Sequence, residues 1–489
     1  MKFFKPILFG ILVAALLFSC VEDTVSTDVS VYTEEVVFAS GQRAIMTGRL
    51  LAEAAVGVQD HGFQIDTEES FPSPIIVSLG EKDVPGRFVG QTEALNIEVS
   101  YYCRAFIQTK GELKTGNIIP FSTLTPFAVD FEPKEGKQNN QVTIEGRNLT
   151  DDTRILWNGN EITPNSIVAE TFAEINVPAI ADDPVIDLAI LSQGSTSALN
   201  DPFEYIIGEW TEVGQLDDII KNTRHVFFED GEEFIYGLGL AQSNLTSAVQ
   251  ILNKNTLQRT TIALPGQAVE GAFYHEGFVG SGSMTRVFNE MMPIDLSGEF
   301  FKYENQSFTK LADVPKRLYL AVGLVADEKL YLYGGETEDR QRNFASYIYD
   351  IATDTWTLGF ESPFSPLSAY PFFHLAGFNY FVLEDGTTWR HDYTNNNWEQ
   401  MADFPTDVKE YGVSLILDGH AYVGMQDTNR RIYVYRPETN SWRSKNSLPD
   451  NNPFNTLGGW INNGEIFIVR NEVSVPTNRV LWKLDPLAF

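Results

Sequence analysis

The chain has 489 residues, 43% of them hydrophobic and 12% aromatic, enough to build more than one large core. A formal charge of −31 excludes a nucleic-acid partner, because phosphate-backbone binding depends on Lys and Arg displacing counterions. Two cysteines, Cys20 and Cys103, exclude a disulfide framework.

At the start, Lys2 and Lys5 precede the apolar run ILFGILVAALLF, which reads as a signal peptide over residues 1–19 rather than a spanning helix. The run ends Leu17-Phe18-Ser19-Cys20, which resembles the lipobox of bacterial lipoproteins. That resemblance implies cleavage before Cys20, lipidation of Cys20, and membrane attachment through the lipid anchor alone. Glu22 and Asp23 resemble the surface-export signal of some Gram-negative lipoproteins, so the expected place is the outer membrane, facing the cell surface. An acidic linker is expected over residues 20–30.

Beyond the linker, aromatics, Gly and Pro are plentiful and long amphipathic helical patterns are scarce, so the predicted class is all-β. Over 31–124, AIMTGRL, HGFQI and YYCRAFIQTKGELKTGNIIPFST alternate strands with turns and resemble fibronectin type III-like domains of bacterial surface proteins. Within YYCRAF, alternation with Arg104 points Cys103 inward, as a buried free thiol. Over 125–207, FEPKEG, QVTIEGRNL, ILWNGNEI, INVPA, IDLAILSQGSTSALN and PFEYI follow in an order that resembles the immunoglobulin-like IPT/TIG domain. The two resemblances imply a pair of immunoglobulin-like sandwiches serving as a stalk.

From 208 to 489 the chain repeats. In Leu330 to Thr357 an apolar run ends in Gly334-Gly335, a charged excursion follows, and the strand-like SYIYDIATDTWT carries a turn at Asp354-Thr355 before Trp356. This order resembles the kelch repeat, in which glycines admit close backbone approach and the Trp fills the gap between blades of a β-propeller. Phe308, Trp356, Trp398 and Trp442 stand about 42 to 48 residues apart, the spacing of propeller blades. The final segment is one strand short, and 209–216, EWTEVGQL, is predicted to complete it and close a six-bladed ring.

Five histidines, His225, His275, His374, His391 and His420, fall in the propeller without the short spacing of a metal motif, so neither metal nor cofactor is expected. Galactose oxidase also uses a kelch propeller, but its cofactor needs a Cys bonded to a Tyr, and the propeller segment has no Cys. No catalytic motif stands out.

In propellers, the loops entering each blade and those joining its second and third strands gather on one face. Here they carry Arg224, Arg317, Tyr319, Arg340, Arg342, Tyr370, Tyr411 and Arg430, the predicted ligand-binding group. Arg offers a planar fork and Tyr a flat face with a hydroxyl, which suits an extracellular glycan. The resulting expectation is a non-catalytic binding protein whose partner is a glycan or a surface protein. The alternatives are a sugar-modifying propeller enzyme of the sialic acid mutarotase/epimerase type, or a structural adhesion module.

Overall fold

A computed structural model describes residues 29–489 apart from 54, 56, 94, 182, 217–221, 288–291, 427–428, 450–453 and 473–478. The expected signal peptide, the expected lipidation site Cys20 and most of the expected acidic linker therefore lie outside the described residues. All regular structure among the described residues is strand, turn or bend.

The chain forms two compact units. The first comprises the chain up to Phe131 together with Val142–Ile175 and Asp187–Asp201. In it, strands Ser30–Ala39, Ala44–Leu51 and Gly86–Thr92 make one antiparallel sheet, and Ile75–Ser78, Asp60–Asp66, Ser100–Gln108 and Leu113–Thr115 make another, with Ile119–Ser122 also paired to Ser100–Gln108. Met46, Phe63, Ile65, Phe88 and Ala105 form their shared core. Cys103 belongs to that core as a free thiol, and burial raises its pKa to about 12, so it acts as a small hydrophobe.

The second unit comprises Glu132–Gln141, Asn176–Ile186 and Pro202–Phe489. Six four-stranded antiparallel sheets make up most of it. The first five run in chain order, opening with Val226–Asp230, Phe273–His275, Val322–Ala326, Phe372–Leu375 and Val413–Leu417. The sixth is composite: Phe454–Asn462, Glu465–Glu472 and Arg479–Asp485 are joined by Glu209–Gln215, with Glu209 opposite Asp485 and Gln215 opposite Val480. Each opening strand neighbours that of the next sheet, and Phe454–Asn462 neighbours Val226–Asp230, so the inner strands form a closed circle. This is a β-propeller, and 209–215 supplies the missing strand, as the sequence predicts.

One device recurs between successive sheets. Trp356 donates its indole N–H to the Ala312 carbonyl at 3.0 Å, while the Asp354 carboxylate accepts from the Ala312 N–H at 2.9 Å and from the Tyr349 hydroxyl at 2.7 Å. Two sheets later, Trp442, Asn440 and Tyr435 make the same three bonds around Ala402. The turn residues Asp354 and Asn440 take positive φ, 51° and 47°, which Asn and Asp tolerate better than most side chains. Gly334 and Gly335 also have positive φ, and a Cβ on Gly334 would lie 2.0 Å from the Pro366 carbonyl oxygen. The paired glycines thus answer both a conformational and a steric demand.

Three short strands, Glu135–Gly136, Phe203–Tyr205 and Val185–Ile186, form a further sheet in this unit. Glu204 is nearly buried and takes Arg436 in a two-pronged pair, each prong 2.6 Å, with Arg443 at 3.3 Å. The Glu135 carboxylate accepts from both the N–H and the hydroxyl of Ser444. These bonds tie the short sheet to the fifth blade, which explains why 132–141, 176–186 and 202–207 cluster with the propeller.

Candidate functional site: the axial cavity of the propeller

The inner strands enclose a cavity of about 470 Å³ at the axis. Its wall runs along those strands, from Arg224, Tyr370, Tyr411 and Thr456 where they begin to Glu229, Glu276 and Ile461 where they turn. Phe227, Tyr274 and Phe372 supply apolar surface between them. A second cavity of about 630 Å³ lies among the blade-entry loops and shares Arg224, His225, Tyr411 and Thr456 with the first. Arg286, Lys409 and Glu410 also line it. Volumes in this range suit small organic ligands, and a mostly apolar wall with a few placed polar groups is the usual composition of such sites.

Arg224 is the charged centre. It has positive φ, 52°, and its guanidinium reaches both carboxylate oxygens of Glu270 at 3.3 Å and the Val287 carbonyl at 2.8 Å. Glu270 is fully buried and also accepts from the Val287 N–H. The pair is internally neutral, with Arg224 still part-exposed at the cavity surface. Tyr411 stands close by, and burial together with the neighbouring Glu410 raises its pKa to about 12. Its hydroxyl therefore stays protonated at neutral pH, able to donate as well as accept.

Three of the predicted residues, Arg224, Tyr370 and Tyr411, line the axial cavity; Tyr319 lies close enough to interact with Arg224 and Tyr411 but is buried behind them, and the other four line neither cavity. Tyr319 is only 2% exposed, faces Gly271 and packs with Leu296 and Ile294. The Arg340 guanidinium lies 5.3 Å from the Tyr319 ring centroid and pairs with Glu336 at 2.9 Å. Arg342 lies 3.9 Å from Glu336 and 3.6 Å from Glu384, and Arg317 lies 3.6 Å from Glu338. These three arginines are thus drawn to the acids of the 336–343 excursion and its surroundings. Arg430 is half-buried, its carbonyl accepting from the Leu448 N–H, and it lines neither cavity.

Sequence reasoning misses His225, His275, His374 and Glu270. His275 and His374 stand near the ends of their opening strands, away from the loops, and no motif marks them. A signal was present nonetheless: several opening strands carry a polar residue that faces the axis, as His275, His374 and Ser414 do, whereas Val322–Ala326 carries none. The His275 Nδ1 accepts from the Val325 N–H at 3.0 Å, and burial lowers its pKa to about 3, so it is neutral with its proton on Nε2. Among the described residues there is no cluster of three or more His, Cys, Asp or Glu that could hold a metal.

No family model matches the chain. Kelch-like protein 38 of Homo sapiens is 28% identical over 156 residues, which cover 29% of this chain and 27% of that protein. Kelch-like protein 38 of Rattus norvegicus is 26% identical over 161 residues, with the same coverage. The chain thus spans about a quarter of the length of these curated relatives. Among solved structures, that of YjhT is 15% identical with a TM-score of 0.42, covering 54% of this chain and 93% of its own. A structural genomics protein of unknown function from Bacteroides thetaiotaomicron is 10% identical with a TM-score of 0.37, covering 73% of this chain and 97% of its own. The sequence likeness to kelch proteins and the closed circle of four-stranded sheets agree: the ring is a kelch-type β-propeller.

Proposed function

We propose that the propeller is the binding module of a lipid-anchored protein of the outer-membrane surface, taking an extracellular glycan into its axial cavity without chemical change. The observation that carries this reading is the cavity itself, about 470 Å³, with aromatic faces from Tyr274 and Phe372 beside the polar groups of Arg224, Tyr370 and Tyr411. Sugar rings present apolar faces and many hydroxyls, and they match a wall that offers both. In this reading the segments 31–124 and 125–207 are fibronectin type III-like and IPT/TIG modules that carry the propeller away from the membrane, and Cys20 holds the anchor.

Arg224 at the cavity wall, with the buried carboxylate of Glu270 paired behind it, favours a second reading, a sugar-modifying enzyme of the sialic acid mutarotase/epimerase type. A structural adhesion module would need only a flat face, and the cavity speaks against it. A glycan array probed with residues 24–489 tests the first reading. Binding of a glycan that survives unaltered, and that weakens about tenfold when Tyr370 and Tyr411 are both changed to Ala, supports it. Recovery of a chemically altered sugar favours the enzyme, and a blank array removes the glycan.

A further inference from the structure

His374 begins a buried chain of hydrogen bonds. Its Nδ1 pairs with the Asn379 amide oxygen at 2.9 Å, the Asn379 amide nitrogen donates to the Tyr333 hydroxyl at 2.9 Å, Tyr333 pairs with the His391 Nδ1 at 3.0 Å, and the His391 Nε2 pairs with the Asn396 amide oxygen at 3.2 Å. Asn379 and His391 are fully buried, and so is Tyr333.

The direction of the chain is set by the propeller repeat. His391 occupies the place of Tyr349 and Tyr435, and Asn396 that of Asp354 and Asn440, each five residues further on. At the first of these places the acceptor is a carboxylate, which cannot donate; at the second, Asn440 takes a backbone N–H on the same oxygen. Standing where those tyrosines stand, His391 is assigned as the donor from Nε2 to the Asn396 amide oxygen, which makes its Nδ1 the acceptor from Tyr333 and leaves Tyr333 to accept from Asn379, although the backbone N–H and indole bonds of the other two places are not made around Asn396 among the described residues. The Asn379 oxygen then faces His374, whose proton must be on Nδ1. Its Nε2 carries a lone pair and has no hydrogen-bond partner among the described residues.

His275 is the mirror case, because its Nδ1 accepts a backbone N–H and its proton lies on Nε2, again without a hydrogen-bond partner among the described residues. Both histidines line the axial cavity. We propose that they form a hydroxyl-binding subsite, in which His275 donates from Nε2 and His374 accepts on Nε2, so that hydroxyls of one sugar ring are held by a donor and an acceptor together. A hydroxyl both accepts and donates, whereas a carboxylate would be rejected by the His374 lone pair and an ammonium by the His275 N–H. The opposed tautomers also disfavour a shared metal, since the His275 Nε2 would have to lose its proton while Nδ1 is still accepting. The subsite rests on the carbohydrate reading above and names which groups of the sugar it takes.

The test uses the protein labelled with 15N histidine and two readouts. At neutral pH, His275 should show a protonated Nε2 and His374 a bare one; a protonated Nε2 on neutral His374 overturns the proposal. Tyr333→Phe should leave the fold intact yet mix the His374 tautomers, because Asn379 is then free to turn over. The methyl glycosides of glucose, galactose and mannose are then titrated in turn, together with N-acetylglucosamine. At least one should move both Nε2 signals, with His374→Phe weakening that probe about tenfold and His374→Gln recovering part of the loss. If none moves either signal, the subsite is wrong. A glycan that scores on the array but binds the wild type and His374→Phe equally overturns the subsite alone, leaving the binding reading standing.

Discussion

The Arg224 guanidinium lies 3.3 Å from both carboxylate oxygens of Glu270, and Glu270 has no exposure to solvent. Arg224→Ala should therefore cost stability as well as any binding, because it strands a buried carboxylate with, among the described residues, only the Val287 N–H to accept from. The expected loss is about 3 kcal/mol in chemical denaturation. Arg224→Met combined with Glu270→Gln should recover most of it while leaving binding impaired. Equal stability of Arg224→Ala and wild type would mean that the pair is solvated.

Tyr319 calls for the opposite expectation from the one its loop position suggests. At 2% exposure against Gly271, it is a packing residue, and Tyr319→Ala should lower stability by about 3 kcal/mol. Arg317→Ala should change stability by less than about 1 kcal/mol, because its pair with Glu338 is solvent-exposed on both sides. Denaturation midpoints of the two variants check both statements.

His391 makes the propeller sensitive to acid. Burial holds its pKa at about 4, against an ordinary value near 6.5, so the unfolded chain binds its proton first as the pH falls. Its contribution is present above about pH 6.5 and is lost progressively toward pH 4, with about 2 kcal/mol gone between pH 7 and 5. His391→Phe should be less stable at pH 7 yet show a flatter stability profile between those two values. A profile parallel to that of the wild type would contradict the assignment.

Asp354 accepts from Ala312 in the neighbouring blade and from Tyr349 in its own. Asp354→Ala removes the one oxygen that accepts both bonds and places Ala at a φ of 51°, with an expected cost of about 2 to 3 kcal/mol. Asp354→Asn, which keeps the oxygen and matches Asn440, should cost less than half as much. Thermal unfolding of the two variants separates the effects.

Trp210 secures the strand that closes the ring. Its indole donates to the Asn446 carbonyl at 2.7 Å, and its ring packs against the core shared by the fifth and sixth blades. Trp210→Ala should destabilise by about 3 kcal/mol and promote association through the uncovered edge of Arg479–Asp485. Light scattering during mild heating reports the association, and a variant that stays monomeric would show the edge to be protected otherwise.

The repeat was legible because each blade needs the same few residues for the same reasons. The glycine pair is complete only at Gly334-Gly335 and decays to partial forms such as Gly237-Leu238-Gly239 and Gly280-Ser281-Gly282, but the outer Trp of the third, fourth and fifth blades keeps the period, and even the completing strand 209–215 was visible as a strand without a hairpin partner of its own. The site was legible only where it lay in loops. Arg224, Tyr370 and Tyr411 belong to blade-entry loops and line the axial cavity; Arg317, Arg340 and Arg342 belong to equally suitable loops, but Glu336, Glu338 and Glu384 hold them, and no local pattern discloses that competition. His374 was missed because its role depends on Asn379 across a hairpin and on Tyr333 in another blade, contacts that only the folded ring creates.

The composite sixth blade also orders events during synthesis. Strand Glu209–Gln215 leaves the ribosome first among the propeller strands, and its partner Arg479–Asp485 leaves last, about 260 residues later. At roughly 5 to 20 residues per second, the early strand waits about 13 to 50 s with its pairing edge unoccupied. Nascent chains stalled just short of Arg479 should therefore be far more readily captured by holding chaperones and cut by proteases than full-length ones, although they lack only the last few per cent of the sequence.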